Sequence, residues 1–233
     1  MNRIDPIALA DSLEHLQQLD FSHDLETSLD RIVQALAGLF HVTGAGLMFI
    51  DPLNVLRSIV ASDEPGKVLE AAQEQLGRGP CNDSLVNGTL VASEDVAEDP
   101  RWPGLAELVV PHGVRAVIGV PIKLGGAPVG SLNAYCDEPH RWDDTEQQAI
   151  GRYAGLIESV MGAAVLAHQR GQLVDQLEFA LEHRVAIERA IGLLMGREGI
   201  DAVTAFDKLR RLARSRRQRV ADVAVEVLGG SVE

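Results

Sequence analysis

All ten prolines of this chain lie at or before Pro139, and none follows it. Proline lacks an amide N–H and clashes with the preceding helical turn, so it interrupts helices and sheet interiors alike. From His140 to Glu233 the chain is therefore free to be helical without a break, whereas before that point it must turn often. One architecture does not suit both regimes. A length of 233 residues fits one domain of ordinary size with a small one appended.

The proline-containing part opens with helical periodicity. Ile7 to Leu19 suits a short amphipathic helix, and Asp24 to Phe40 carries Leu25, Leu29, Ile32, Val33, Leu36, Leu39 and Phe40 on one stripe. Ala45–Asp51 and Val55–Ala61 then read as strands joined through Asp51-Pro52-Leu53-Asn54. Asp63 to Leu76 returns to a helical pattern ended by Gly77. Pro80 to Asn87 is another short helix closed by Gly88, and Val110 to Gly113 closes a further one. Arg115–Ile122 and Val129–Tyr135 form the clearest hairpin, turning at Gly125-Gly126. Asp143-Asp144 caps a long helix that points Ile150, Tyr153, Ala154, Ile157, Val160, Met161, Ala164 and Val165 inward, its pattern continuing through Leu173, Leu177 and Leu181. This order predicts an α+β domain with a central antiparallel sheet. The first and last helices share one face, and the segments between Glu64 and Gly113 form a lid over a concave site on the other.

Composition narrows the function classes. The longest apolar run, Val160–Ala167, falls well short of the roughly 18–20 residues that span a bilayer, and Met1–Pro6 has no signal-peptide core. A cytoplasmic location without a membrane partner follows as the expectation. Cys81 and Cys136 are too few for a disulfide framework, and the seven histidines have no zinc spacing, so no metal site is expected. Charge is divided unevenly. Residues 1–169 hold 10 basic and 24 acidic groups, while residues 170–233 hold 11 and 10. Such asymmetry marks a separate binding module.

In the first part, Gly77-Arg78-Gly79-Pro80-Cys81, Arg115–Ile122 and Pro128-Val129-Gly130-Ser131-Leu132-Asn133 together resemble the GAF family of small-ligand sensor domains. The resemblance covers about Asp20 to Ala167 and implies a sheet with a pocket on one side and dimer-forming helices on the other. It allows a small ligand without requiring any cofactor, and the chain has neither an Asn-Lys-Phe signature of cyclic-nucleotide binding nor the Cys-His pair that holds a bilin. Cys81, Asp95 and Trp102 are the candidate ligand or redox residues. Cys81 follows Pro80 into a helical first turn, where the macrodipole favours a thiolate; the alternative is a small buried residue. Asp95, Asp99, Arg101 and Trp102 share a polar loop that either touches a ligand or is solvated surface with one aromatic anchor.

The C-terminal part reads as three helices. Leu177–Arg197 is ended by Gly199. Asp201 caps a second helix with Ala205, Phe206, Leu209, Leu212 and Ala213 inward, and Val220–Leu228 is closed by Gly229-Gly230. Ile187–Arg197, Ala205–Ala213 and Val220–Ala224 resemble the ANTAR domain along its length. That resemblance implies a homodimer that binds a two-hairpin RNA and so prevents a transcription terminator from forming. Dimerisation is expected through the GAF helices and a helical, coiled-coil-like connector. The chain departs from the family pattern at Ile191, where lysine is usual, and in an arginine-rich turn before the last helix. Both changes move the expected RNA face toward Arg210–Arg219. Lys208, Arg210, Arg211, Arg214, Arg216, Arg217 and Arg219 crowd this stretch, and Arg189 and Arg197 lie on the preceding helix. Arginine pairs bidentately with phosphate and stacks on unpaired bases, which suits hairpin recognition.

The expected boundaries are an N-terminal helix at 1–19, a GAF-like domain at 20–167, a connector at 168–176 and an ANTAR-like domain at 177–230. Two alternatives stand beside antitermination. A basic second helix also fits a helix-turn-helix on DNA, although its arginines crowd the end of that helix rather than its start. An enzyme of the free-methionine-sulfoxide-reductase type needs several cooperating cysteines, and the chain has two.

Overall fold

The computed structural model describes residues 6–18, 25–39, 42–51, 53–166 and 172–230. Leu19, Asp24 and Phe40, expected at helix ends, lie outside the described residues, as does part of the stretch expected to continue the long helix past Leu166.

Five antiparallel strands form one sheet in the order β2-β1-β5-β4-β3. They are β1 (Gly44–Ile50), β2 (Leu56–Ala61), β3 (Val91–Ser93), β4 (Ala116–Leu124) and β5 (Ala127–Cys136). The β4–β5 hairpin turns where expected, at Gly125 and Gly126, whose φ angles of 57° and 85° place both in the left-handed region.

Alternation gives the sheet two different faces. Ile118, Val120, Ile122, Leu132 and Ala134 point to one side. There they meet α2 (Leu25–Leu39), α6 (Asp144–Leu166) and α1 (Pro6–Gln17) in one apolar core. The Ser12 and Tyr153 hydroxyls, 2.7 Å apart, join α1 to α6. α6 is long and apolar enough to cross a membrane by composition, but half of it is buried within the fold. Its start is a capping box: Asp143 Oδ1 accepts from the Thr145 and Glu146 amides, and Glu146 Oε2 accepts from the Asp143 amide.

The other face carries Gly44, Gly46, Ser131, Asn133, Tyr135 and Gly119, paired across β1, β5 and β4. It is covered by α3 (Glu64–Leu76), α4 (Pro80–Asn87) and α5 (Leu105–Val109). Glycine is required here by close approach. A Cβ on Gly46 would sit 2.1 Å from Glu70 Oε1, and one on Gly119 2.9 Å from the Pro80 carbonyl oxygen. The expected lid is present, and polar side chains of its own helices fill the space beneath it.

The C-terminal module consists of α7 (Gln172–Glu198), α8 (Ala202–Arg216) and α9 (Val220–Leu228). Ile187, Ala190, Ile191, Leu194, Ala205, Phe206, Leu209, Ala213, Val223, Ala224 and Val227 form its core. Asp201 caps α8 by accepting the Thr204 amide at 2.7 Å. The start of α7 packs Leu173 and Val174 into the core of the first domain, and Val86 of α4 packs against the module's core. The two units are thus docked through α4.

Candidate nucleic-acid interface

The nine basic residues expected to contact RNA fall into three groups. Lys208, Arg216 and Arg219 pair within the module, with Glu198, Glu226 and Asp222 respectively. Arg189, Arg197, Arg214 and Arg217 are exposed and have no ion-pair partner among the described residues. Arg211, also exposed, makes only a long hydrogen bond to the Asp207 carbonyl at 3.4 Å. Arg210 stands apart. The expectation of an open basic face is corrected at this residue, which is 8% exposed and donates from Nη1 to the Gly77 carbonyl of the first domain at 3.1 Å.

Local chain geometry explains the crowding at the end of α8. Its C-cap is Arg217, with φ 54° and ψ 39°, whose amide donates to the Ala213 and Arg214 carbonyls. Arg219 is then the N-cap of α9. The unpaired cations Arg214 and Arg217 therefore sit at the negative end of the α8 dipole, which favours their charge. Ile191, at the position where the resemblance expects lysine, is buried in the module's core, so it cannot serve as a phosphate contact.

The seat of the module on the first domain is the turn between α3 and α4. Gly77, the C-cap of α3 with φ 65°, is pressed so closely by Arg210 that a Cβ there would lie 1.6 Å from Arg210 Nη2. Arg78 of the same turn approaches Asp207 of α8 at 3.9 Å. At the far end of α4, Arg184 of α7 donates from Nη2 to the Leu85 carbonyl at 3.1 Å. Its side chain is 1% exposed and its Nη1 has no partner among the described residues. Glu188 accepts from Arg184 Nε at 3.3 Å and partly offsets the burial that lowers its pKa. Sequence reasoning missed Arg184, Arg78 and Gly77 as contact residues. Only the Gly77-Arg78-Gly79 motif pointed to that turn.

The same turn closes a buried polar cluster under the lid. Glu70 Oε1 accepts from Asn133 Nδ2 at 3.1 Å, while Glu70 Oε2 and Asn133 Oδ1 have no partner among the described residues. Burial pushes the Glu70 carboxyl up to about 8, against hydrogen bonds from Ser58, Asn133 and the Leu47 backbone that favour its charged form. Gln73 Oε1 accepts from the Cys81 amide at 2.9 Å, and Gln73 Nε2 donates to Cys81 Sγ at 3.1 Å. Ser84 and Ser131 join helix to sheet at 2.9 Å.

Cys81, Asp95 and Trp102 each have a separate partner: Gln73, Arg115 and Asp83 respectively. Cys81 does enter the first turn of α4 behind Pro80, but burial pushes its thiol up to about 12 and overrides the helix terminus. The Asp95 carboxylate is paired with Arg115, which holds it below the usual range. Trp102 is a buried anchor whose indole N–H donates to Asp83 at 2.8 Å, with the Arg101 guanidinium stacked 4.2 Å from its ring. Asp99 ties Arg101 and Ser93 into the same loop.

Comparison with known proteins fits this geometry. A GAF domain model matches residues 24–161, and an ANTAR domain model matches residues 175–228. No curated protein matches the chain. Among solved structures, the GAF domain of a phosphoenolpyruvate-protein phosphotransferase from Coxiella burnetii superposes with a TM-score of 0.56 at 16% identity, over 70% of this chain and 96% of that one. Its counterpart from Acinetobacter gives 0.55 at 15%, over 74% and 99%. A free methionine-R-sulfoxide reductase from Neisseria meningitidis, solved with its substrate, gives 0.55 at 20%, over 69% and 89%. At such identities the likeness is one of fold. By its matched domains and its architecture, the chain belongs to the GAF domain family and carries an ANTAR domain after the GAF domain.

Proposed function

We propose that this protein is a cytoplasmic, non-enzymatic transcription antitermination regulator whose ANTAR module binds hairpin RNA under control of the GAF domain. The observation that carries the reading is the set of exposed, unpaired arginines Arg189, Arg197, Arg214 and Arg217 on a three-helix module whose core needs none of them. Unpaired surface arginines are available to phosphates and splayed bases, whereas paired ones must first give up a partner. Homodimerisation through the helical face of the GAF domain and α7 is part of the same reading, as the ANTAR resemblance implies a dimer.

Docking supplies the control. Gln73 holds Cys81 across the Gly77-Arg78-Gly79 turn, and Gly77 seats Arg210. A change beneath the lid, whether a ligand or the protonation of Glu70, shifts that turn and loosens the module. The non-enzymatic reading is supported by the two thiols: burial is the main cause that pushes Cys81 up to about 12 and Cys136 up to about 11. Neither is poised as a nucleophile at neutral pH.

The test is hairpin binding by the full chain, followed by fluorescence anisotropy at several salt concentrations. An Arg214→Ala/Arg217→Ala double variant is expected to bind a two-hairpin RNA at least about tenfold more weakly, with a salt slope shallower by about 2. Unchanged affinity would sink the assignment of this face. Tighter binding of duplex DNA than of hairpin RNA at the same salt replaces the reading with a DNA-binding one. Native mass spectrometry of the same samples reports the dimer.

A further inference from the structure

Two clefts open at the junction of the domains, and Arg210 and Arg214 line both. The larger, about 480 Å³, is lined among others by Val55, Glu74, Arg217 and Arg219. The smaller, about 340 Å³, is lined by Leu76, Arg78, Asp207, Arg210, Arg211 and Arg214. Four guanidinium groups thus face a single carboxylate, and that carboxylate stands 3.9 Å from Arg78. Arg210 is the most confined of the four. Its one hydrogen-bond acceptor among the described residues is the Gly77 carbonyl, its guanidinium lies 5.6 Å from the centre of the Phe206 ring, and the residue lines both clefts. Burial, Arg214 and Arg78 all oppose its charge, with Asp207 alone favouring it.

A nearly buried cation beside like charges is costly unless an anion completes the group. The planar fork of arginine matches the oxygens of a phosphoryl group two at a time. The volume lies at the lower end of the roughly 300–1,000 Å³ typical of small-molecule sites. One wall is the α3–α4 turn of the GAF domain, so an RNA helix approaching Arg210 meets that turn first.

We propose that this cleft binds a small anion carrying two or three phosphoryl groups, clamped between Arg78 of the GAF domain and Arg210, Arg211 and Arg214 of the ANTAR module. Such a ligand bridges the two domains and favours the docked state. It also occupies Arg214 of the RNA face and the exposed Arg211 beside it, so anion and RNA oppose each other reciprocally. That last consequence rests on the RNA-binding reading above; the anion site does not.

Inorganic pyrophosphate is the probe, titrated calorimetrically into the full chain at constant ionic strength. The expected result is one site per chain, weakened about tenfold or more by Arg78→Gln and less by Arg78→Lys, which keeps the charge but not the fork. Arg78 is half exposed, and an unchanged circular dichroism melt checks that the variants fold. Pyrophosphate is further expected to weaken hairpin RNA binding more in the parent than in Arg78→Gln. Absence of pyrophosphate binding, or equal binding by Arg78→Gln, overturns the proposal. A loss of hairpin affinity in Arg78→Gln as large as the loss for pyrophosphate overturns it too, by making the cleft a seat for an RNA phosphate. Pyrophosphate binding that depends on Arg78, with no hairpin binding at any salt, supports the anion site and discards the RNA reading.

Discussion

Ion pairs fix the loops of the GAF domain, whereas part of the charge of the ANTAR module is left open. In the first, Arg57 pairs with Asp51 and Glu74, Arg101 with Asp99, and Arg115 with Asp95. Glu70 has no cationic partner among the described residues, and burial pushes its carboxyl up to about 8. In the second, Arg184 and Arg210 find backbone carbonyls of the other domain, and Arg214 and Arg217 find no acid among the described residues. Exposed ion pairs contribute little to stability but fix loops in place. Unpaired arginines add no ion pair to the fold and remain available to a ligand. The contrast separates residues that shape this protein from residues that wait for a partner.

The largest expected effect tests the GAF side of that contrast. With its folded-state value near 8 and an unfolded value near the ordinary glutamate range, Glu70 is neutral in the fold at pH 7 and ionised in the unfolded chain. Its contribution is full below the unfolded value and is lost as pH rises toward 8. Across that window the parent should lose on the order of 4 kcal/mol relative to Glu70→Gln, whose carboxamide cannot ionise. Thermal melts of both proteins between pH 5 and about 9 measure it. Parallel pH profiles mean that Glu70 is not held neutral, and the contrast fails on this side.

Arg184 tests the junction. Arg184→Ala removes the donor to the Leu85 carbonyl and leaves a void between α7 and α4, and it should cost about 3 kcal/mol of docking. The parent is expected to melt in a single calorimetric transition, which then separates into two. Arg184→Met fills the space without a buried charge and should restore one transition. If both variants melt as the parent does, the docked state does not depend on this residue. Gly77→Ala probes the other contact. It forces a side chain into the left-handed region and into the Arg210 guanidinium, for about 1–2 kcal/mol. It should raise hydrogen exchange in α8 and, by releasing Arg210, strengthen hairpin binding. Weaker hairpin binding would show that docking does not restrain the RNA face.

Elements with a local cause were legible in the sequence. Gly125-Gly126 announced the hairpin, and Asp143 and Asp201 announced helix starts. β3 was not singled out, because three residues are too few to show alternation. The basic face was legible as composition but not as geometry. Arg210 and Arg214 share a helical side, and nothing local says that the first meets a carbonyl 133 positions away. Glu70 looked like one more acid on an amphipathic helix. Its burial depends on Gly46 across the sheet, where the missing Cβ makes the room. Arg184 was hidden for the same reason, since its acceptor lies 99 positions earlier.

Arg217 carries the smallest effect and the most direct test of what an unpaired arginine is for. It is one of two non-glycine residues with positive φ among those described, and it ends α8 at a position where glycine is the usual choice. An L side chain there costs about 1 kcal/mol relative to glycine. If the residue served only to cap the helix, glycine would be the better cap and nothing would be lost. Arg217→Gly is therefore expected to raise the melting temperature of the module by a few degrees while weakening hairpin RNA several-fold. Arg217→Lys, which keeps charge and strain together, should leave stability near the parent and recover most of the affinity. A glycine variant that is more stable and binds as well as the parent reduces Arg217 to a poor cap. One that is less stable removes the left-handed strain from the account, and with it the reason to read this arginine as held in place for RNA.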